Sequence, residues 1–268
     1  NWNSVASSAD GTKLLAASAV GYIYTSSDSG ATWTQRTAAG YKPWSSLSSS
    51  PDGSKLAATD SDGYVYTSID SGVSWTARVN SGTNNGWTAS TISDDGTKLA
   101  AVGWNNYINI SNDSGQTWNT LVNVGVRWWT ALASSADGTK LALASQYGRV
   151  YSSIDSGTTW AERTSPVSYM PGLASSADGT KLVLVDDSVY TSSDSGNTWV
   201  ERSGVGVVDS IFYAAASSAD GTKLAVTDSN YGYIYTSSDS GATWTERTAS
   251  GQRNWYAIAS SADGTKLA

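Results

Sequence analysis

One phrase constrains this chain more than any other: Ser26-Ser27-Asp28-Ser29-Gly30-Ala31-Thr32-Trp33. With small edits it returns ending at Trp75, Trp118, Trp160, Trp199 and Trp244, at spacings of 42, 43, 42, 39 and 45 residues. A second phrase, Ala9-Asp10-Gly11-Thr12-Lys13-Leu14, keeps the same beat, its aspartate recurring as Asp52, Asp95, Asp137, Asp178, Asp220 and Asp263. Two unrelated phrases on one period mean one supersecondary unit used repeatedly.

The first copy reads as four strands. Trp2 to Ser8 is a short run with Val5 among small residues, followed by the turn Ala9-Asp10-Gly11-Thr12. Lys13 to Ser18 is a second apolar run. Gly21 punctuates it, and Tyr22-Ile23-Tyr24-Thr25-Ser26 is β-branched and aromatic. The Asp28 turn then leads into Thr32 to Thr37. No helical spacing occurs, so each repeat predicts four short antiparallel strands with Gly/Asp turns. Such a unit cannot bury both faces alone and must stack on its neighbours. Four strands per repeat of this length match one blade of a β-propeller.

The Ser-x-Asp-x-Gly-x-Thr-Trp turn resembles the Asp-box, or BNR, repeat found in sialidases, xyloglucan-cleaving enzymes, sortilin-type receptors and a photosystem II assembly factor. The resemblance covers the whole chain. It implies a propeller in which the box is the turn between the third and fourth strands, and it specifies fold rather than activity. The residues agree with that reading. Asp28, Asp70, Asp113, Asp155, Asp194 and Asp239 can accept N–H groups of their own turns. Gly30 supplies a positive φ. Trp33, Trp75, Trp118, Trp160, Trp199 and Trp244 are expected between blades, each contributing about 2–3 kcal/mol if buried there.

The expected fold is therefore all-β, a single propeller domain over residues 1–268 of four-stranded antiparallel blades. Six complete repeats occupy approximately 2–43, 44–86, 87–128, 129–169, 170–211 and 212–254. A partial seventh, 255–268, mirrors residues 2–15, so seven blades are favoured and six are the alternative. A seventh blade completed by another molecule would polymerise the chain by strand addition. The chain starts within a repeat and without Met, and reads as a piece of a larger protein.

Composition excludes some chemistry. The chain has no cysteine and no histidine, which removes thiolates and the commonest general base. Net charge is −7, but 13 of the 20 aspartates belong to the two repeated phrases, so the acidity does not identify a partner. No basic stripe points to nucleic acid. No apolar run is long enough to span a bilayer. A cysteine-free, Ser/Thr-rich surface fits an extracellular or cell-surface protein. The triplets Asn109-Ile110-Ser111 and Asn112-Asp113-Ser114 are potential glycan acceptors.

In such a fold the Asp-Gly-Thr-Lys turn and the box lie on one side, and they are nearly uniform. The loops between the second and third strands and the blade-to-blade connections lie on the other side and vary. Trp2, Trp44, Trp87, Trp129, Phe212 and Trp255 open successive first strands and are expected to plug blade junctions. The candidates for ligand contact on the variable side are Tyr41, Lys42, Trp104, Asn105, Arg127, Trp128, Tyr147, Arg149, Asp186, Asp187 and Tyr231. Aromatic rings beside planar hydrogen-bonding groups suit recognition of sugar or protein.

Catalytic readings find little support. A sialidase needs converging arginines, a Tyr–Glu pair and an acid. Arg36, Arg78, Arg163, Arg202 and Arg247 instead share one repeat position, and Glu162, Glu201 and Glu246 each precede such an arginine. A glycoside hydrolase using two aspartates could draw on Asp60, Asp62, Asp186, Asp187, Asp209 and Asp228. Asp60-Ser61-Asp62-Gly63 resembles the opening of a calcium loop but lacks its later ligands. No cofactor or metal is expected. The leading expectation is a non-catalytic extracellular structural, adhesion or protein-interaction module, part of a larger repetitive surface assembly. A glycan-binding, lectin-like propeller is the alternative, and a hydrolase the second alternative. The partners are then other protein chains or cell-surface glycans.

Overall fold

The structure, a computed structural model, describes residues 2–78, 86–163, 172–206 and 210–268. Asp209 and most of the connections at 80–87 and 165–171 lie outside the described residues. The chain forms two compact units, residues 1–132 and 133–267.

The first unit holds three four-stranded antiparallel sheets, each a simple meander. The first comprises β1 (Trp2–Ser7), β2 (Leu14–Ser18), β3 (Ile23–Ser26) and β4 (Thr34–Arg36). The second comprises β5 (Trp44–Ser49), β6 (Leu56–Asp60), β7 (Val65–Ser68) and β8 (Thr76–Arg78). The third comprises β9 (Trp87–Ile92), β10 (Leu99–Gly103), β11 (Ile108–Ser111) and β12 (Asn119–Leu121). The boundary between the units falls within β13 (Trp129–Ser134), which heads a sheet with β14 (Leu141–Ser145), β15 (Arg149–Ser153) and β16 (Ala161–Arg163). Two more sheets follow in the second unit. One is β17 (Gly172–Ser175), β18 (Leu182–Val185), β19 (Val189–Ser192) and β20 (Val200–Arg202). The other is β21 (Phe212–Ser217), β22 (Leu224–Asp228), β23 (Ile234–Ser237) and β24 (Thr245–Arg247). The fourth strand is shorter than the repeat predicts, because Thr32 is spent on the turn: its N–H and hydroxyl both bond Asp28.

Among the described residues there are six blades, and the favoured seventh is corrected to the six-bladed alternative. Residues 255–268 contain the turn of a first hairpin, with Ser261 N donating to Lys266 O at 3.0 Å. Their only pairing is an isolated bridge between Ser260 and Leu267.

The repeated carboxylate turn has one geometry in every copy. Ser29 and Gly30 take successive left-handed conformations, φ 56° and 88°. Asp28 Oδ1 accepts Thr32 N at 2.8 Å and Ser26 Oγ at 2.8 Å, while Gly30 N donates to Ser26 Oγ at 2.9 Å. Bonds from Thr32 and Ser26 hold the Asp28 carboxyl at about 2, well below its ordinary value. The turn docks on the first hairpin of its own blade through Ser29 N to Thr12 O, 2.9 Å.

Lysine of the Asp-Gly-Thr-Lys phrase reaches the next blade. Lys13 Nζ donates to Asp52 O at 2.7 Å in the first unit, and Lys140, Lys181 and Lys223 do the same to Asp178, Asp220 and Asp263 in the second. First strands are stitched by serine: Leu47 N donates to Ser4 Oγ, and Ser90 N to Ser46 Oγ, both at 3.0 Å.

Apolar packing lies between consecutive blades. Leu15, Ile23, Trp44, Leu47, Leu56 and Tyr66 form one such cluster, and Val183, Val185, Val189, Phe212, Val226 and Tyr235 another. The plugs are the first-strand aromatics Trp44, Trp87, Trp129 and Phe212, all fully buried. Trp2, by contrast, is exposed and Trp255 half-buried. The turn tryptophans carry less of the core than expected: Trp33 is 42% exposed and its five copies are half-buried. Trp33 folds back over its own turn, Nε1 donating to Gly30 O at 3.1 Å, and Trp75, Trp118, Trp160 and Trp244 make the same bond, whereas Trp199 Nε1 does not.

Candidate functional site

In each blade the hairpin and carboxylate turns saturate their own polar groups, so the candidate residues divide among the loops at the other end of the strands. Their placement is set by register. The aromatic that opens a first strand pairs with the residue that closes the second: Trp2 with Ser18, Trp44 with Asp60, Trp87 with Gly103, Phe212 with Asp228.

In the first unit, Lys42 sits on the connection from β4 to β5. Its backbone exchanges two bonds with Gly21, 2.8 and 3.0 Å. Its ammonium lies 3.6 Å from Asp60 Oδ2 and over the rings of Tyr66 and Tyr64, at 5.3 and 5.7 Å. Asp60 is fully buried, its Oδ1 accepting Tyr64 N at 2.8 Å. Burial pushes its carboxyl up, opposed by the Tyr64 bond and by Lys42. Lys42 is raised, chiefly by its interaction with Tyr66. Tyr41, 63% exposed, packs edge-on against Tyr22.

The first unit also brings Trp104 and Trp128 together. Their ring centroids are 6.4 Å apart and their planes differ by 19°. They flank a bridge in which Asn106 and Arg127 exchange backbone bonds of 3.1 and 3.2 Å. Trp129 Nε1 anchors the same loop through Asn106 O, 3.0 Å. Asn105, at the loop tip, is left-handed with φ 50°.

In the second unit, Tyr147 and Tyr231 occupy loop tips with φ 68° and 58° and are 71% and 69% exposed. Glycine is the default for such a conformation, and a ring held there is strained by about 1–2 kcal/mol. Tyr231 N is fixed by Asn254 Oδ1 at 2.9 Å. Arg149 pairs with Glu162 on the neighbouring strand, whose other oxygen accepts the Tyr151 hydroxyl at 2.9 Å. Asp186 is buried and Asp187 exposed, so adjacent carboxylates point into different surroundings. Asp228, also buried, accepts Asn230 N at 2.8 Å and Ile211 N at 3.3 Å. Asp60 and Asp228 thus close second strands in their own blades, and Asp186 follows directly on β18.

Two features escape the sequence reading. The first is the Tyr–Glu pairing across the third and fourth strands. Tyr235 donates to Glu246 at 3.2 Å, and burial together with that carboxylate pushes its hydroxyl up to about 12. The second is the pinning of the outer arginines: Arg36, Arg78, Arg163, Arg202 and Arg247 each donate Nε to a Thr or Ser hydroxyl 11 residues back. Asn109 is buried within β11, whereas Asn112 is exposed. Among the described residues no three acidic side chains converge to hold a metal ion, and no helix is long and apolar enough to cross a membrane.

No known family profile and no curated protein matches the chain. Solved structures do. It is similar to YCF48 bound to D1 peptide, with TM-score 0.73 and 17% identity over 96% of this chain and 86% of that one. It is similar to the Cps50 (Swd1) β-propeller domain of Myceliophthora thermophila, with TM-score 0.72 and 14% identity over 97% and 90%. The GH74 xyloglucanase from Xanthomonas campestris aligns with TM-score 0.76 and 16% identity over all of this chain but 52% of the enzyme, so this chain spans about half its length. At these identities the likeness shows the fold, a β-propeller.

Proposed function

We propose that this chain is a non-catalytic protein-interaction propeller of the Asp-box type, an extracellular or cell-surface adhesion or structural module that meets its partner through the variable loops. The observation that carries this reading is Tyr147 and Tyr231: two large rings at left-handed loop tips, both more than two-thirds exposed. Strain retained to present an aromatic ring to solvent is a recognisable mark of a contact surface. YCF48 bound to D1 peptide offers a propeller precedent for peptide recognition. The non-catalytic part is supported by the buried, locally bonded state of Asp60 and Asp228.

Panning a phage-displayed random-peptide library against the immobilised chain tests this. Selected peptides are expected to lose at least tenfold in affinity for Tyr147→Ser/Tyr231→Ser and to keep it for Ser29→Gly. Peptides indifferent to both tyrosines would refute the contact surface. Release of reducing ends from xyloglucan, or of the aryl group from an aryl sialoside, by the purified chain would refute the non-catalytic part.

A further inference from the structure

Trp104 and Trp128 differ from the other close aromatic pairs. Trp2 with Tyr24, Tyr22 with Tyr41, Trp44 with Tyr66, and Tyr213 with Tyr256 all cross edge-to-face, at 75–88°. In that arrangement the positive edge of one ring satisfies the negative face of the other. Trp104 and Trp128 are near-parallel at 19°, and each is about half exposed, 50% and 49%. Each ring turns one face toward its neighbour and keeps about half of its surface in water. The backbone beneath them is fixed by the Asn106–Arg127 bridge and by the buried Trp129, so presenting this surface costs little ordering on binding.

We infer that Trp104 and Trp128 form a carbohydrate-binding platform for the flat face of a β-linked pyranose polysaccharide. The chemistry follows from the ring quadrupole. A pyranose with equatorial hydroxyls turns its polarised axial C–H groups to the ring faces, and these meet the negative indole face. A β-1,4-linked chain repeats that C–H face along an extended ribbon, so a sugar of the chain can lie against the outer side of the stacked pair. A peptide anchor would call for an enclosing apolar pocket around the rings. Here both rings stand half in water, which suits an extended, flat ligand. This platform uses none of the residues of the peptide surface above, so the two readings fail separately.

The test is depletion of the purified chain from solution by insoluble cellulose, chitin and starch granules. Retention is expected on at least one of the β-linked polymers, at least tenfold weaker on α-linked starch, and little changed by high salt because no ion pair is involved. Trp104→Ala and Trp128→Ala are expected each to reduce retention at least tenfold, and Trp128→Tyr by a few-fold only, all three keeping the wild-type circular dichroism spectrum and unfolding curve. Absence of retention on both β-linked polymers overturns the proposal. So does equal retention on starch, or retention unchanged in both alanine variants. Loss of phage-selected peptide binding in Trp104→Ala without any polysaccharide retention would assign the pair to a protein partner instead.

Discussion

Removing the ammonium of Lys42 isolates the most deeply buried non-repeat carboxylate of the first unit. Asp60 is fully buried, and its Oδ2 meets Lys42 Nζ at 3.6 Å. At an effective dielectric of about 20, two unit charges at that distance attract by about 5 kcal/mol. The lysine keeps 26% of its side-chain surface in water, so part of that attraction is screened. Lys42→Met is therefore expected to cost about 2–4 kcal/mol, at or just below the range for breaking a fully buried pair. That corresponds to a fall of roughly 4–8 °C in thermal midpoint for a chain of this size. The sign of the pH dependence is fixed by burial, which raises the Asp60 carboxyl. An acid with a raised folded pKa destabilises the fold while ionised, so the variant should recover as pH falls through that pKa toward about 4, the unfolded value. Lys42→Met/Asp60→Asn should restore most of the loss at pH 7, because no buried charge is left unpaired. Urea denaturation followed by tryptophan fluorescence measures all three. A single-variant loss below about 1 kcal/mol, or a double variant no better than the single, would refute the reasoning.

Tyr147→Gly and Tyr231→Gly should each raise stability by about 0.5–1 kcal/mol by relieving left-handed strain while weakening peptide binding. A loss of stability in calorimetry would remove the strain argument. The six carboxylate turns and the hairpin turns of Asp52, Asp95, Asp178, Asp220 and Asp263 should make wild-type stability flat from pH 7 to about 4 and falling from there toward 2. Their lowered folded pKa values, about 2 for Asp28, Asp70, Asp113 and Asp239, mean that protonation is resisted until that window. A thermal midpoint that declines between pH 6 and 5 would contradict it. Gly103→Ala should cost about 3 kcal/mol or more, since a Cβ there would lie 2.3 Å from Gly86 O and 3.2 Å from Trp87 Cα. Near-wild-type urea stability would show that the β9–β10 register relaxes.

What the sequence disclosed, and what it hid, follows from the kind of partner each residue uses. Asp28 and its copies bond within four residues, and short-range turn chemistry is written in the local phrase. First-strand aromatics such as Trp44 and Phe212 were legible as plugs because they share one register. The seventh blade was misread because a repeat phrase shows where a first strand starts, not whether neighbours exist to pair with it. The turn tryptophans were given too much burial, since periodicity marks a position without saying which side of the blade covers it. Lys13 was read only as part of a hairpin because its acceptor, a backbone carbonyl 39 residues on, carries no side-chain signal. Among site candidates, Trp104 and Trp128 were both named, but their stacking depends on the bridge between Asn106 and Arg127. Arg149 was named without its partner, because Glu162 lies on the neighbouring strand 13 residues on. Tyr147 and Tyr231 carried a readable cue: tyrosine stands before Gly148 and Gly232, where a tight turn more commonly places asparagine.

The blades divide their labour by strand end, and this decides how substitutions should act. At the hairpin end, each repeat aspartate spends both oxygens on its own turn, as Asp10 does with Thr12 N, Thr12 Oγ1 and Ser8 Oγ, and as Asp28 does with Thr32 and Ser26. A carboxylate so engaged has little left to offer a ligand, and changing it removes stability before it changes recognition. At the loop end the order is reversed. Tyr147 and Tyr231 hold strained backbone, and Trp104 and Trp128 keep about half of their surface in water, so substitution there removes contact surface at little or negative cost to the fold. Most of the acidic charge sits in the repeated turns. Contact with the exposed rings should therefore be insensitive to salt, whereas folding at low pH should be governed by the turns.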